Sequence, residues 1–435
     1  MGARETALNV LIACRKEGGW SNGVLKQYTV RDRLDRREAA LAARLCYGVL
    51  QNRLKLDFYL QQLLTGKVSN LHPAVRDILH LGLYQMKMMD KIPESAAVNE
   101  SVDLTKKYCK KVRSAPALVN AVLRSATSKE LAEPRSYVEK YSHPQALVDL
   151  LKDYVGKDRL EGMLKANNEI APMTVQVNTL KTTAQDLLKT LEGEGVTAEP
   201  HSWLADCLVL TGTGNLEQLP SFREGLYYVQ DPAARLSVLC ADIPAGSRVL
   251  DCCAAPGGKS FAAMIAMGGT GSVTSCDIHN HKIPLIEAGA QRLGIQSLTA
   301  QCQDGAVYNP QWASAFDAVI ADVPCSGYGI IRKKPDIRYK DPASMKELPQ
   351  LQLQILCNQA RYVRPGGVLL YSTCTLVRAE NEAVVEQFLD DHRDFTLEPL
   401  PLPAAFPKNE NGMLALVPGE YDTDGFFMAR LRRKV

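Results

Sequence analysis

The sequence predicts a multidomain chain: an all-α front, a small α+β linker domain, and a C-terminal α/β domain built on a doubly wound parallel sheet. Its 435 residues exceed one ordinary domain of roughly 100 to 200 residues. From Ala3 to about Thr127, apolar residues recur at helical spacing, as in Leu41, Leu45, Val49 and Leu56. From about Asp231 onward, short β-rich runs alternate with helical stretches, the pattern of parallel strands joined by crossover helices.

The helical domain is expected over 1–135. Pro73, Pro93 and Pro116 fall near the starts of periodic segments, where a missing amide proton costs least, so about four to six helices are expected. The linker domain is expected over 142–230. There, two helical segments precede the alternating runs MTVQVNTL and DCLVLTG, and Gly193 and Gly195 end a helix near Leu191. The α/β domain is expected over 231–435, with strands in SRVLDC, GSVTSCD, SLTAQCQD, FDAVIADV, GGVLLYSTC and GFFMARL. Side chains at the carboxyl ends of such strands are the first candidates for a site.

Hydrophobic content of 46% and charged content of 23% are those of a globular chain. No apolar run approaches the roughly 18 residues of a spanning helix, and MGARETALNV does not read as a secretory signal. A cytoplasmic protein without a membrane partner is expected. Twelve cysteines, with Cys252 and Cys253 adjacent, then read as reduced thiols. No CxxC pair occurs, so no metal site is expected. Residues 1–130 carry 22 Lys or Arg against 12 Asp or Glu, a net of +10 that leaves −7 for the remainder. A basic arm on an acidic body suggests a polyanionic partner.

The first strand of the α/β domain runs into DCCAAPGGKSFAAMIAM, a glycine turn opening a helix whose amides can face a ligand. A phosphate loop needs glycine where Cys253 stands, and the GxGxxG dinucleotide spacing is absent. S-adenosylmethionine, with a ribose, an adenine and a charged amino-acid end, fits better. Asp277 ends the second strand, where a carboxylate accepts from ribose hydroxyls, and Asp304 ends the third, within reach of an adenine amine. Asp251 and Asp322 stand on the same rim. Strand four leads into DVPCSG and strand five into STCT, which sets Cys325 and Cys374 apart from cysteines expected to be small buried hydrophobes.

Together, DCCAAPGGKS, DVPCSGYG and STCT resemble the motifs of RNA cytosine-C5 methyltransferases, the Nol1/Nop2/Sun family. RLCYGVLQNRLKLDFYL, HPAVRDILHLGLYQM, IPESAAVNESVDLTKKY and ALVNAVLRSA resemble the RNA-binding helical domain of the antitermination factor NusB. With VNTLK and VQDPAA between them, the chain is similar to the bacterial RsmB (Fmu/Sun) type. The resemblance implies a Rossmann-like class I methyltransferase domain and 16S rRNA, or a small-subunit precursor, as partner. It implies Cys374 as nucleophile and Cys325 as the residue assisting product release. Cofactor positions fall on Cys253, Ala254, Ala255, Pro256, Gly257, Gly258 and Lys259, and on Asp277, Asp304 and Asp322, with Asp322 also touching the cytosine edge. Cys252 departs from the usual apolar residue, and VPCSGYG from the common APCSATG.

After this motif, IIRKKPDIRYK carries five basic residues in eleven. Arg332, Lys333, Lys334 and Arg338 are expected to hold RNA phosphates, and Tyr328 and Tyr339 to offer stacking surfaces. A monomer is expected. The competing reading is a non-catalytic NusB-like RNA-binding or assembly factor, in which both cysteines are incidental. A methyltransferase acting on an exocyclic amine calls for NPPY-like words after strand four, and DVPCSG is not one.

Overall fold

The computed structural model describes residues 2–17 and 21–435. They form two compact units: one of Met1–Asp153, Lys157–Asn168 and Ile331–Asp341, the other of Tyr154–Gly156, Glu169–Ile330 and Pro342–Val435.

The first unit is helical, with long helices at Ala3–Glu17, Arg36–Leu63, Pro73–Met88, Glu94–Tyr108 and Ala115–Ser128. Asp35 caps the second of these by accepting from the Glu38 amide. The apolar faces meet at Leu8, Leu45, Leu56, Leu60, Ile78, Val119 and Leu123, all buried. Gly48 lets two helices approach closely, since a Cβ there would lie 1.9 Å from Tyr84 Cζ. The unit extends past the expected boundary at 135 because polar contacts hold the next segment to it. Ser142 Oγ accepts from the Leu54 amide at 2.8 Å.

The second unit holds two sheets. The smaller comprises β1 (Met173–Val177), β2 (Thr197–Pro200), β3 (Cys207–Thr211) and β4 (Tyr227–Val229), ordered β2-β3-β1-β4 and antiparallel throughout. Helix Ala184–Gly193 packs Leu187 and Leu191 against Val175, Val177 and Leu208. Asn178 Nδ2 donates to Gly225 O and Leu293 O, both at 2.9 Å, tying this sheet to a helix of the larger layer.

The larger sheet contains β5 (Arg248–Asp251), β6 (Ser272–Asp277), β7 (Leu298–Cys302), β8 (Phe316–Asp322), β9 (Val363–Thr373), β10 (Phe395–Leu397), β11 (Met413–Leu416) and β12 (Phe426–Arg433). The order is β10-β12-β9-β8-β5-β6-β7, with β11 beside β12. Strands β5 to β9 pair in parallel, whereas β12 runs antiparallel to β9. Apolar clusters cover both faces, so the parallel strands read as nearly continuous apolar runs. Strand order reverses at β5, and the crevice at the carboxyl ends beside that reversal is where doubly wound sheets bind ligands.

Candidate active site

The glycine turn follows β5. Gly257 has φ of 110°, and a Cβ there would lie 2.4 Å from Phe261 Cζ, so both backbone and space require glycine. Helix Gly258–Ala266 begins at once and carries Lys259. Within the turn, Ala254 and Gly257 are buried, Pro256 is exposed, and Cys253, Ala255, Gly258 and Lys259 are half-buried. Beneath it, the fully buried Asp251 accepts from Ser260 Oγ through Oδ2 at 2.7 Å, while Oδ1 has no hydrogen-bond partner. Burial pushes its pKa up to about 7.

Asp277, at the end of β6, accepts from the His279 amide at 2.9 Å and lies 3.4 Å from Lys282 Nζ. Asp304 accepts from the Ala306 amide at 2.9 Å. Both carboxylates therefore brace their own loops with one oxygen, the ordinary behaviour of Asp in a turn. The ligand expected from the sequence fits this set of groups. An unpartnered carboxylate oxygen lies below a glycine cradle, and two acids stand at neighbouring strand ends.

The two cysteines singled out in the sequence lie one strand further along. β8 and β9 are parallel neighbours with Asp322 opposite Ser372, so the words that follow them emerge side by side. Cys325 and Cys374, both half-buried, have their Sγ atoms 3.2 Å apart. Ser326 Oγ and Thr375 Oγ1 share a hydrogen bond of 2.7 Å, and the Gly329 amide donates to Cys374 O at 2.9 Å. Asp322 pairs with Lys259 Nζ at 2.7 Å and accepts from Ser372 Oγ at 2.7 Å. Lys259 also lies over the Phe426 ring, 5.2 Å from its centroid. Burial opposes the charge on Lys259, but Asp322 outweighs it and the pKa is raised. The Cys325 thiol is pushed well up by its contact with Cys374 Sγ, then by burial and by the charges of Cys374, Glu380 and Asp322.

One basic residue is corrected. Arg338 is fully buried in the helical unit. It donates to the carbonyls of Gln51, Tyr141, Ser142 and Asn167 at 3.0 to 3.3 Å and to Asn168 Oδ1 at 2.8 Å. Burial lowers its pKa to about 10. It is a structural clamp with no surface to offer RNA. Arg332 and Lys334 are half-buried and Lys333 is exposed. Neither tyrosine is a free stacking face. Tyr328 is buried, and the Tyr339 hydroxyl donates to Leu50 O at 2.7 Å. Of the residues that brace the cysteine loops, Ser326 and Thr375 stand inside DVPCSG and STCT but were given no role there, while Gln352 and Glu380 carry no motif spacing and went unseen in the sequence.

Family models match three stretches: 16S rRNA methyltransferase RsmB/F over 239–432, the NusB family over 1–128, and a ferredoxin-like domain of RsmF/B-like methyltransferases over 143–217. The chain is 34% identical over 445 residues to the probable ribosomal RNA small subunit methyltransferase B of Bacillus subtilis (strain 168), covering 99% of this chain and 98% of that one. It is 34% identical to ribosomal RNA small subunit methyltransferase B of Vibrio cholerae, over 92% and 90% of the two chains. Among solved structures, PH0851 superposes with a TM-score of 0.81 at 23% identity, covering 100% and 99%, a likeness of fold. The NSun6 structure from Pyrococcus horikoshii with SFG gives 0.59 at 19% identity, covering 67% and 98%.

Proposed function

Because this chain belongs to the RsmB/F family of 16S rRNA methyltransferases, we propose that it methylates C5 of a cytosine in 16S rRNA through a covalent cysteine adduct. The observation that carries this reading is the pair of thiols 3.2 Å apart at adjacent strand ends, beside a half-buried Lys259–Asp322 ion pair.

S-adenosylmethionine is the cofactor and supplies an electrophilic methyl group. The turn from Cys253 to Lys259 would hold it, with Asp277 accepting from ribose hydroxyls and Asp304 from the adenine amine. The chemistry explains why two cysteines are present. Cytosine C5 is too weak a nucleophile to accept a methyl group directly. The Cys374 thiolate adds to C6, forming an S–C6 bond, and the C5=C6 electron pair makes C5 enamine-like. Asp322, held by Lys259 and Ser372, faces the cytosine edge and favours protonation at N3. Once C5 carries the methyl group, loss of its proton re-forms C5=C6 and expels Cys374, a collapse that Cys325 assists. Arg332, Lys333 and Lys334 take RNA phosphates in this reading, together with exposed cations of the helical unit such as Lys110 and Arg113.

Bisulfite mapping of 16S rRNA from cells with and without this protein tests the reading. One cytosine should be protected only when the protein is present. Identical maps would overturn it.

A further inference from the structure

Glu380 is a buried carboxylate that the steps above do not use. It ends the short turn Arg378–Glu380 beyond Cys374 and is 3% exposed. Its Oε2 accepts from the Ser326 amide, directly after Cys325, at 2.9 Å and from Gln352 Nε2 at 2.9 Å. The same Gln352 nitrogen donates to Pro324 O, directly before Cys325, at 2.9 Å. Both neighbours of Cys325 therefore hang on one carboxylate–amide pair. The Glu380 backbone is held as well, since Tyr371 OH donates to its carbonyl at 2.6 Å. Asn381, the next residue, grips the other cysteine's flanks, accepting from Thr373 Oγ1 at 2.6 Å and donating to Thr375 O at 3.0 Å.

The charges around the sulfur pair are unequal. Asp322 is neutralised by Lys259 at 2.7 Å. Glu380 forms no ion pair among the described residues. A buried carboxylate without a cation is costly to keep, and this one is aimed at the loop of one cysteine. Two sulfurs 3.2 Å apart cannot both ionise readily, so they share one proton, and the surrounding charge decides which holds it.

We propose that Glu380 is a positioning residue that anchors the Cys325 loop and, through its uncompensated charge, places the shared proton on Cys325 and the thiolate on Cys374. It rests on the two-cysteine reading above and extends it, because it says why these neighbours have different roles. The Glu380 carboxylate is bonded to the residue directly after Cys325, whereas the nearby Asp322 carboxylate is already paired with Lys259.

Iodoacetamide labelling read by mass spectrometry tests this without RNA or methyl donor, so the result is independent of whether the adduct chemistry is right. In the unaltered protein, Cys374 should be alkylated at lower pH than Cys325. Cys325 reacting first, or both together, would overturn the proposal whatever the variants do. Glu380→Gln keeps the side-chain shape and an acceptor for the Ser326 amide but removes the charge. With its melting temperature retained, its ratio of Cys374 to Cys325 labelling should fall about tenfold or more, one pKa unit being tenfold in thiolate. Glu380→Asp, which keeps the charge, should retain most of the preference. An unchanged ratio in folded Glu380→Gln, or equal losses in the two variants, would overturn the role assigned to the Glu380 charge.

Discussion

Replacing Cys325 by alanine should convert a turnover enzyme into one that traps its own substrate. The two sulfurs lie 3.2 Å apart, and in the proposed roles the Cys325 thiol is the donor to the attacking Cys374 sulfur, a hydrogen bond to a charged group worth about 1.5 to 3 kcal/mol. Without it the attacking sulfur loses that stabilisation, a factor of roughly one to two powers of ten at 1.36 kcal/mol per decade. Attack on C6 should slow by a comparable factor and recover as pH is raised. Methyl transfer should still follow attack, while collapse of the adduct lacks its assisting group. A protein–RNA complex stable to a denaturing gel should therefore accumulate with Cys325→Ala, more slowly at pH 7 than at pH 9. Cys374→Ala should form no complex and transfer no methyl group. Complex formation by Cys374→Ala, with none from Cys325→Ala, would refute the assignment and make Cys325 the nucleophile. Failure of both variants to form any complex would refute the division of labour.

Asp277→Ala should weaken S-adenosylmethionine binding by about 1.5 to 3 kcal/mol, the worth of hydrogen bonds to a carboxylate, and equal calorimetric affinities would remove Asp277 from the site. Asp251 has a folded-state pKa raised to about 7 against roughly 3.9 in an unfolded chain, so its stability contribution is full below the unfolded value and is lost as pH rises through 7. Asp251→Asn should accordingly gain on the unaltered protein between pH 4 and 8, by about 2 to 4 kcal/mol in denaturant titrations, and a pH-independent difference would contradict the buried acid. Arg338→Met should lower the stability of the helical unit by about 3 to 5 kcal/mol, as removal of a buried charge-assisted network does, with the salt slope of RNA binding unchanged if measured while folded. Lys110→Ala with Arg113→Ala should reduce that slope by about 0.7 per lost phosphate contact on single-stranded RNA, and an unchanged slope would move the RNA elsewhere. Deleting residues 1–130 is a poor test of RNA binding, because it strips the Gln51 carbonyl from Arg338 and leaves Ile331–Asp341 without the unit it packs in.

The parallel strands were legible because residues such as Val249, Leu250, Val319 and Ile320 are buried on both faces, which forces uninterrupted apolar runs. β10 and β11 were not, since three- and four-residue strands exist through pairing with β12. The final strand was found but not its direction. β12 returns antiparallel to β9, and burial pattern alone is blind to that sign. The small sheet was anticipated from MTVQVNTL and DCLVLTG, whose alternation marks half-buried strands.

What the sequence determined by itself was chemistry carried by short words: a glycine turn that only glycine can make, acids at strand ends, and one cysteine after each of two apolar strands. Such features are local, and their meaning follows from backbone geometry within a few residues. Tertiary structure alone decided that the β8 and β9 ends are adjacent, so that residues 49 apart in sequence place their sulfurs 3.2 Å apart. It also decided that of the basic run after Cys325, Arg338 is turned inward onto four carbonyls, and that Glu380 is buried beneath the Cys325 loop. Charge and burial are sums over distant neighbours, and a charged side chain has the same letter whether it meets water, phosphate or the protein's own carbonyls.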